Sequence, residues 1–209
     1  MVDLSLRRLY LCTPMREDLG EFLAACISGG VDIVQLRDKH HDAVDLISAG
    51  REAAKVCADL GVPFLINDRP DLALEVGADG VHVGQDDAPV SLCRRILGPD
   101  ALIGLSTHAS EELAVALDTP ASYLSAGPVE ATPTKPGRPG TGIAYAVEAT
   151  AAAKVPVFVT GGVTPERIPP LAAAGVTHFV VVRYLTEARD PRAAASALRS
   201  AIDTSLGEG

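Results

Sequence analysis

Short apolar runs rich in β-branched residues recur along the whole chain, at Leu9–Thr13, Ile33–Arg37, Phe64–Asn67, Gly80–Val83, Leu102–Ser106, Tyr123–Ala126, Val157–Thr160 and His178–Val182. They show little alternation between apolar and polar residues, the pattern of strands buried on both faces. Amphipathic stretches such as Ala43–Leu60 and Glu111–Leu117 lie between them, with apolar residues at helical spacing. A repeat of roughly two dozen residues is the length of one βα unit with its right-handed crossover. Eight such units predict a (β/α)8, or TIM, barrel near the short end of its size range. A doubly wound open sheet is the alternative. Against it, no G-x-G-x-x-G follows the first strand, and the strand count suits closure better.

At 209 residues and 47% hydrophobic, the chain can bury a substantial core and fits one domain spanning 1–209, with the last few residues as a frayed tail. There is no Trp, so the core must be built mainly from Ala, Val, Leu and Ile. The net charge of -9 argues against nucleic acid or an anionic membrane as the main partner. Any anionic substrate must then be held by local cations and backbone amides. No apolar run approaches a membrane span, and the stretch after Arg7 and Arg8 is too short for a signal peptide. Cys12, Cys26, Cys57 and Cys93 have no metal spacing and lie in apolar contexts, which predicts buried thiols in a reducing cytoplasm. Homo-oligomerisation is left open.

In a barrel, functional side chains stand at or just after the carboxyl ends of strands. The residues that break the apolar runs stand there: Arg37, Asp38 and Lys39; Asn67, Asp68 and Arg69; Gln85, Asp86 and Asp87; Ser106, Thr107 and His108. Carboxyl ends of adjacent strands lie ~5 Å apart, so Asp68 and Asp87 can share a cation. Mg²⁺ takes one or two carboxylates and completes its shell with water and phosphate oxygens. Taken singly, each Asp is more simply a helix N-cap. Gln35, Arg37 and Lys39 alternate, which predicts one shared face at the barrel mouth and a polar ligand to satisfy it, with a salt-bridged barrel layer as the alternative. The long segment Gly127–Gly137 carries Thr132, Thr134 and Lys135 between prolines and glycines, a composition suited to a phosphate or, more plainly, to a flexible polar loop. Gly161-Gly162 is expected to end a strand and open a helix, bringing free amides toward a phosphate. His82 reads as a barrel-layer histidine. His108 divides evenly between substrate contact and packing.

Together, Val34-Gln-Leu-Arg-Asp-Lys39, Ile66-Asn-Asp-Arg69, Gly77-Ala-Asp-Gly-Val-His-Val-Gly-Gln-Asp-Asp87, Gly104-Leu-Ser-Thr-His108, Thr132-Pro-Thr-Lys-Pro-Gly137 and Gly161-Gly-Val163 resemble the thiamine phosphate synthase family over nearly the whole chain. The resemblance implies a transferase of thiamine biosynthesis. It would join 4-amino-2-methyl-5-pyrimidinylmethyl diphosphate to a thiazole phosphate, or its carboxylated form, and release pyrophosphate. Carried over, it implies that Gln35, Arg37, Lys39 and Asn67 bind the pyrimidine diphosphate and that Asp68 and Asp87 hold Mg²⁺. Ser106 and Lys135 would contact the pyrophosphate, with Arg37, Ser106 and Lys135 as the catalytic set. Thr132, Thr134 and the Gly162 amide would face the thiazole phosphate. Three positions depart from the family pattern. Glu130 stands near a usual aromatic residue, and Thr160 stands where a more apolar one is common. Arg183 replaces a usual Ser, where it either reinforces the thiazole phosphate site or turns into a salt bridge. A thiazole tautomerase of the same barrel family would need neither the carboxylates nor the diphosphate-binding set. A non-catalytic thiamine phosphate binding protein would bind product without turnover.

Overall fold

Eight parallel strands close on themselves in the order β1 to β8, and β8 pairs back onto β1. The computed structural model describes residues 2–131 and 139–208. The strands are β1 (Leu9–Thr13), β2 (Ile33–Leu36), β3 (Phe64–Asn67), β4 (Gly80–Val83), β5 (Leu102–Thr107), β6 (Tyr123–Ala126), β7 (Val157–Val159) and β8 (His178–Val181). Each boundary lies within one residue of its expected position. The helices are α1 (Leu19–Ser28), α2 (Ala43–Asp59), α3 (Pro70–Val76), α4 (Val90–Leu97), α5 (Ser110–Ala116), α6 (Gly142–Ala152), α7 (Ile168–Ala173), α8 (Arg183–Thr186) and α9 (Pro191–Leu206).

The continuous apolar runs arise because each strand is covered on both sides. Outward residues such as Leu9, Leu11, Val34, Ile66, Val81, Ile103 and Phe179 join one cluster with the helices. Inward residues form a second, smaller cluster that includes Tyr10, Ile33, Leu65, Leu102, Tyr123 and Phe158. Phe158 is fully buried and takes both Tyr10 and Tyr123 edge-on, each at 5.4 Å between ring centroids. Aromatic pairs of this geometry add about 0.5–1.5 kcal/mol beyond the apolar area they bury. Below this layer a short 3₁₀ turn, Leu4–Leu6, puts buried Leu4 into the same inner cluster.

At that amino-terminal end the cluster becomes ionic. Asp32 accepts from the Arg8 and Leu9 amides at 2.8 and 2.9 Å and from Arg199 at 3.1 Å. Arg8 also pairs with Glu208 at 2.5 Å, which ties the segment after α9 to β1. His178, on β8, is buried and meets Arg8 at 3.2 Å. All four cysteines are buried and reduced.

Candidate active site

The polar inner residues gather at the opposite, carboxyl end of the strands, around a cleft of about 310 Å³. The pairing register sets its floor. Cys12 lies beside Gln35, Asn67 beside His82, and Ser106 beside Ser125. These side chains line the cleft together with Tyr10, Arg37, the Thr160–Thr164 turn, Val182, Arg183 and Tyr184. Of the candidates from sequence, Gln35, Arg37, Asn67, Ser106, Gly162 and Arg183 therefore share one wall-and-floor surface. Thr132, Thr134 and Lys135 lie outside the described residues.

Lys39 departs from the expected alternation. β2 ends at Leu36, so the period-two rule stops applying, and Lys39 swings to the rim to pair with Asp68 at 2.8 Å. Asp68 is not a helix N-cap, since α3 is capped at Arg69. Its backbone is left-handed, with φ +62, the only such non-glycine residue among those described. That conformation is costly for a residue with a Cβ, though Asp and Asn tolerate it best. Burial and the adjoining Asp87 carboxylate raise the Asp68 pKa, while Lys39 opposes them. Asp87 in turn folds back to accept from the Gly84 amide at 2.8 Å, closing the loop after β4. It precedes the α4 cap at Pro89 and is not itself that cap.

Two neighbouring carboxylates, one strained and both crowded by like charge, suit a divalent cation. Among the described residues no group of three or more His, Cys, Asp or Glu side chains forms a metal centre. Such a site would rely on phosphate oxygens and water for its remaining ligands, as Mg²⁺ sites commonly do. Nearby, Asp38 holds the loop that carries Lys39. Burial alone would raise its carboxyl, but the His40 and His41 amides and the His41 ring outweigh burial and bring it down to about 2.

The exits of β6 and β7 meet backbone to backbone. The Val129 amide donates to the Thr160 carbonyl at 2.7 Å. A Cβ at Gly161, where φ is +103, would lie 2.5 Å from the Val129 nitrogen. Only glycine permits that approach, which turns the Gly161–Thr164 segment toward the cleft. The helix does not open at the glycine pair as expected. α7 begins at Ile168 after a turn, so the accessible amides are those of the turn itself. Glu130 forms an ion pair with Arg167 across this junction. Arg183 begins α8, lines the cleft, and has no ion-pair partner among the described residues.

His108 engages Glu112 through its ring and its amide, at 2.8 and 2.7 Å. His82 is a barrel-layer histidine that also lines the cleft, bonded to Ser106 at 2.8 Å. Sequence reasoning missed Tyr10, Cys12 and Ser125. Each lies on an inward register position of a strand whose residues contain no charged break, so only the alternation of faces could have revealed them.

A family model described as thiamine monophosphate synthase matches residues 9–185. A thiamine-phosphate synthase of Mycobacterium bovis is 44% identical, with 93% of this chain and 94% of the relative covered. One of Thermobifida fusca is 47% identical, covering 92% and 90%. Among solved structures, a thiamine phosphate pyrophosphorylase from Pyrococcus furiosus superposes with a TM-score of 0.86 at 28% identity, covering 96% of this chain and 97% of that one. Matched along most of its length by family model, relatives and fold alike, the chain belongs to the thiamine monophosphate synthase family of enzymes.

Proposed function

We propose that this enzyme joins an aminopyrimidinylmethyl diphosphate to a thiazole phosphate, giving thiamine phosphate and pyrophosphate. The observation that carries the reading is the pairing of strained, charge-crowded Asp68 with Asp87 and Lys39, at the rim of a cleft floored by Gln35, Asn67 and Ser106. A tautomerase acting on the thiazole alone has no use for that rim.

In this reading the C–O bond between the pyrimidine methylene and the diphosphate breaks first. The leaving group takes the electron pair, and the electron-rich aminopyrimidine stabilises the cation left behind. Arg37 neutralises charge developing on the diphosphate, with Lys135 assigned the same task from the segment after Ala131. Ser106 donates to a diphosphate oxygen. Preorganised donors of this kind are the largest single source of rate enhancement in many enzymes. Gln35 and Asn67 hold the pyrimidine edge through their amides. The amide of Gly162 and the side chains of Arg183, Thr132 and Thr134 hold the thiazole phosphate, so that the ring nitrogen closes the new C–N bond from a fixed position. Mg²⁺, held by Asp68 and Asp87, would neutralise the leaving diphosphate when bound. Lys39 neutralises Asp68 in the arrangement described above, and a diphosphate oxygen is its alternative partner.

The test is a coupling assay with both phosphorylated substrates, with and without Mg²⁺. Stoichiometric, metal-dependent formation of thiamine phosphate and pyrophosphate supports the reading. Binding of thiazole phosphate without coupling overturns it in favour of the tautomerase or a binding protein.

A further inference from the structure

A buried line of hydrogen bonds crosses the barrel from one proposed substrate contact to another. The Cys12 thiol donates to Gln35 Oε1 at 3.1 Å, and Gln35 Nε2 donates to the Tyr10 phenol at 2.7 Å. Tyr10 and Tyr123 are joined through their phenol oxygens at 2.9 Å, and Tyr123 meets His82 Nδ1 at 2.9 Å. His82 Nε2 meets Ser106 Oγ at 2.8 Å. Both phenols are at most 1% exposed, and burial pushes their pKa values up, so each keeps its proton.

We infer that Tyr10, Tyr123 and His82 are positioning residues: a one-way hydrogen-bond chain that fixes Ser106 as a donor into the cleft and Gln35 in a single amide orientation.

The direction follows from the Gln35 amide orientation, with Oε1 toward Cys12 and Nε2 toward Tyr10. Gln35 Nε2 can only donate, so the Tyr10 oxygen accepts from it. Among the described residues, the acceptor within reach of the Tyr10 proton is the Tyr123 oxygen. Tyr123 then has His82 Nδ1 as the acceptor for its own proton. With Nδ1 accepting, neutral His82 carries its hydrogen on Nε2 and donates it to Ser106. The serine proton cannot point at that ring nitrogen and turns toward the cleft, where an anionic oxygen would accept it. At the other end Gln35 Oε1 accepts from the Cys12 thiol at 3.1 Å, and this amide orientation decides which atom of Gln35 a heterocycle meets.

A second observation supports this independently. A Cβ at Gly104 would lie 2.1 Å from Tyr123 Cζ, 2.3 Å from its oxygen and 2.5 Å from His82 Nδ1. The tyrosine–histidine link therefore runs through space that only glycine leaves open. Phe158 holds the two phenol rings edge-on from one side.

The effect on turnover rests on the proposed coupling reaction, so the experiment reads the chain in two ways. Nitrogen-15 spectra of the ligand-free protein report the His82 tautomer, and steady-state coupling kinetics report its consequence. The variants are Tyr123→Phe, Ser106→Ala and the double variant. Wild type should show hydrogen on Nε2, and Tyr123→Phe should populate the other tautomer. Turnover of Tyr123→Phe should fall about tenfold, the scale of one lost hydrogen bond to a charged group, with KM for the thiazole phosphate unchanged. The double variant should be no slower than Ser106→Ala. An unchanged tautomer in Tyr123→Phe, or losses that multiply in the double variant, overturns the inference. Inactive wild type with the tautomer switch intact overturns the coupling reaction while supporting the chain. Should Tyr123→Phe fail to fold, His82→Gln and His82→Leu make the same comparison. Glutamine can both accept from Tyr123 and donate to Ser106, so its activity should exceed that of the leucine variant, and equal activities overturn the inference.

Discussion

Asp68 shows how a single residue can carry opposite demands. Its left-handed backbone and its position beside Asp87 both cost free energy, and its ion pair with half-exposed Lys39 returns little of it. Such strain persists where function needs it. Replacing Asp68 by glycine relieves the backbone and removes one of two like charges. Asp68→Gly should therefore leave stability unchanged or raise it by up to about 1 kcal/mol, while coupling activity falls by about 100-fold or more through loss of leaving-group stabilisation. Urea melts alongside activity assays check this. A clear loss of stability would show that the carboxylate serves the fold rather than the chemistry.

At the scale of elements, the site depends on how strand exits meet. β6 and β7 leave the barrel side by side, joined by the Val129–Thr160 bond and by the close approach at Gly161. Gly161→Ala places a Cβ against backbone and in a left-handed conformation. It should cost about 2 kcal/mol and raise KM for the thiazole phosphate more than for the diphosphate. A thermal melt with separate KM measurements would show it, and equal KM changes would place the phosphate elsewhere. The strands themselves were legible from sequence because burial on both faces leaves them mostly apolar, with no Asp, Glu, Lys or Arg inside them. The residues at their ends were legible because charge interrupts that pattern. The start of α7 was not, since a Gly-Gly pair before Thr-Pro reads as a helix opening although a turn intervenes before Ile168. The swing of Lys39 was hidden by the end of β2, where alternation ceases to predict direction. Tyr10 and Tyr123 were read only as strand residues, because a phenol fits an apolar run as well as a polar network.

Taken whole, the barrel is chemical at one end and ionic at the other, and the two ends answer pH differently. At the amino-terminal end, burial and then Arg8 push the His178 imidazole down to about 4, from an ordinary value of 6.5. The unfolded chain therefore binds a proton between pH 6.5 and 4 that the folded chain refuses, so folding stability declines as pH falls through that window. The full effect is about 3 kcal/mol. Asp32, whose pKa is raised chiefly by burial, acts with the opposite sign, so the comparison must isolate the histidine. Urea melts of wild type and His178→Gln at pH 7 and pH 4.5 do so. The variant should lose less stability on acidification, and parallel losses would exclude His178 as the source.

The β1–β8 seam, where Leu9, Tyr10 and Leu11 pair with Phe179, Val180 and Val181, also governs how the molecule comes into being. Until β8 arrives, every partial sheet has two raw edges, and the β1 edge exposes the backbone of an almost wholly apolar strand. Unpaired edges of that kind are templates for pairing with other chains. A nascent or refolding chain is thus most prone to aggregate just before its last strand docks, and concentration should limit its refolding yield more than it limits the stability of the finished ring.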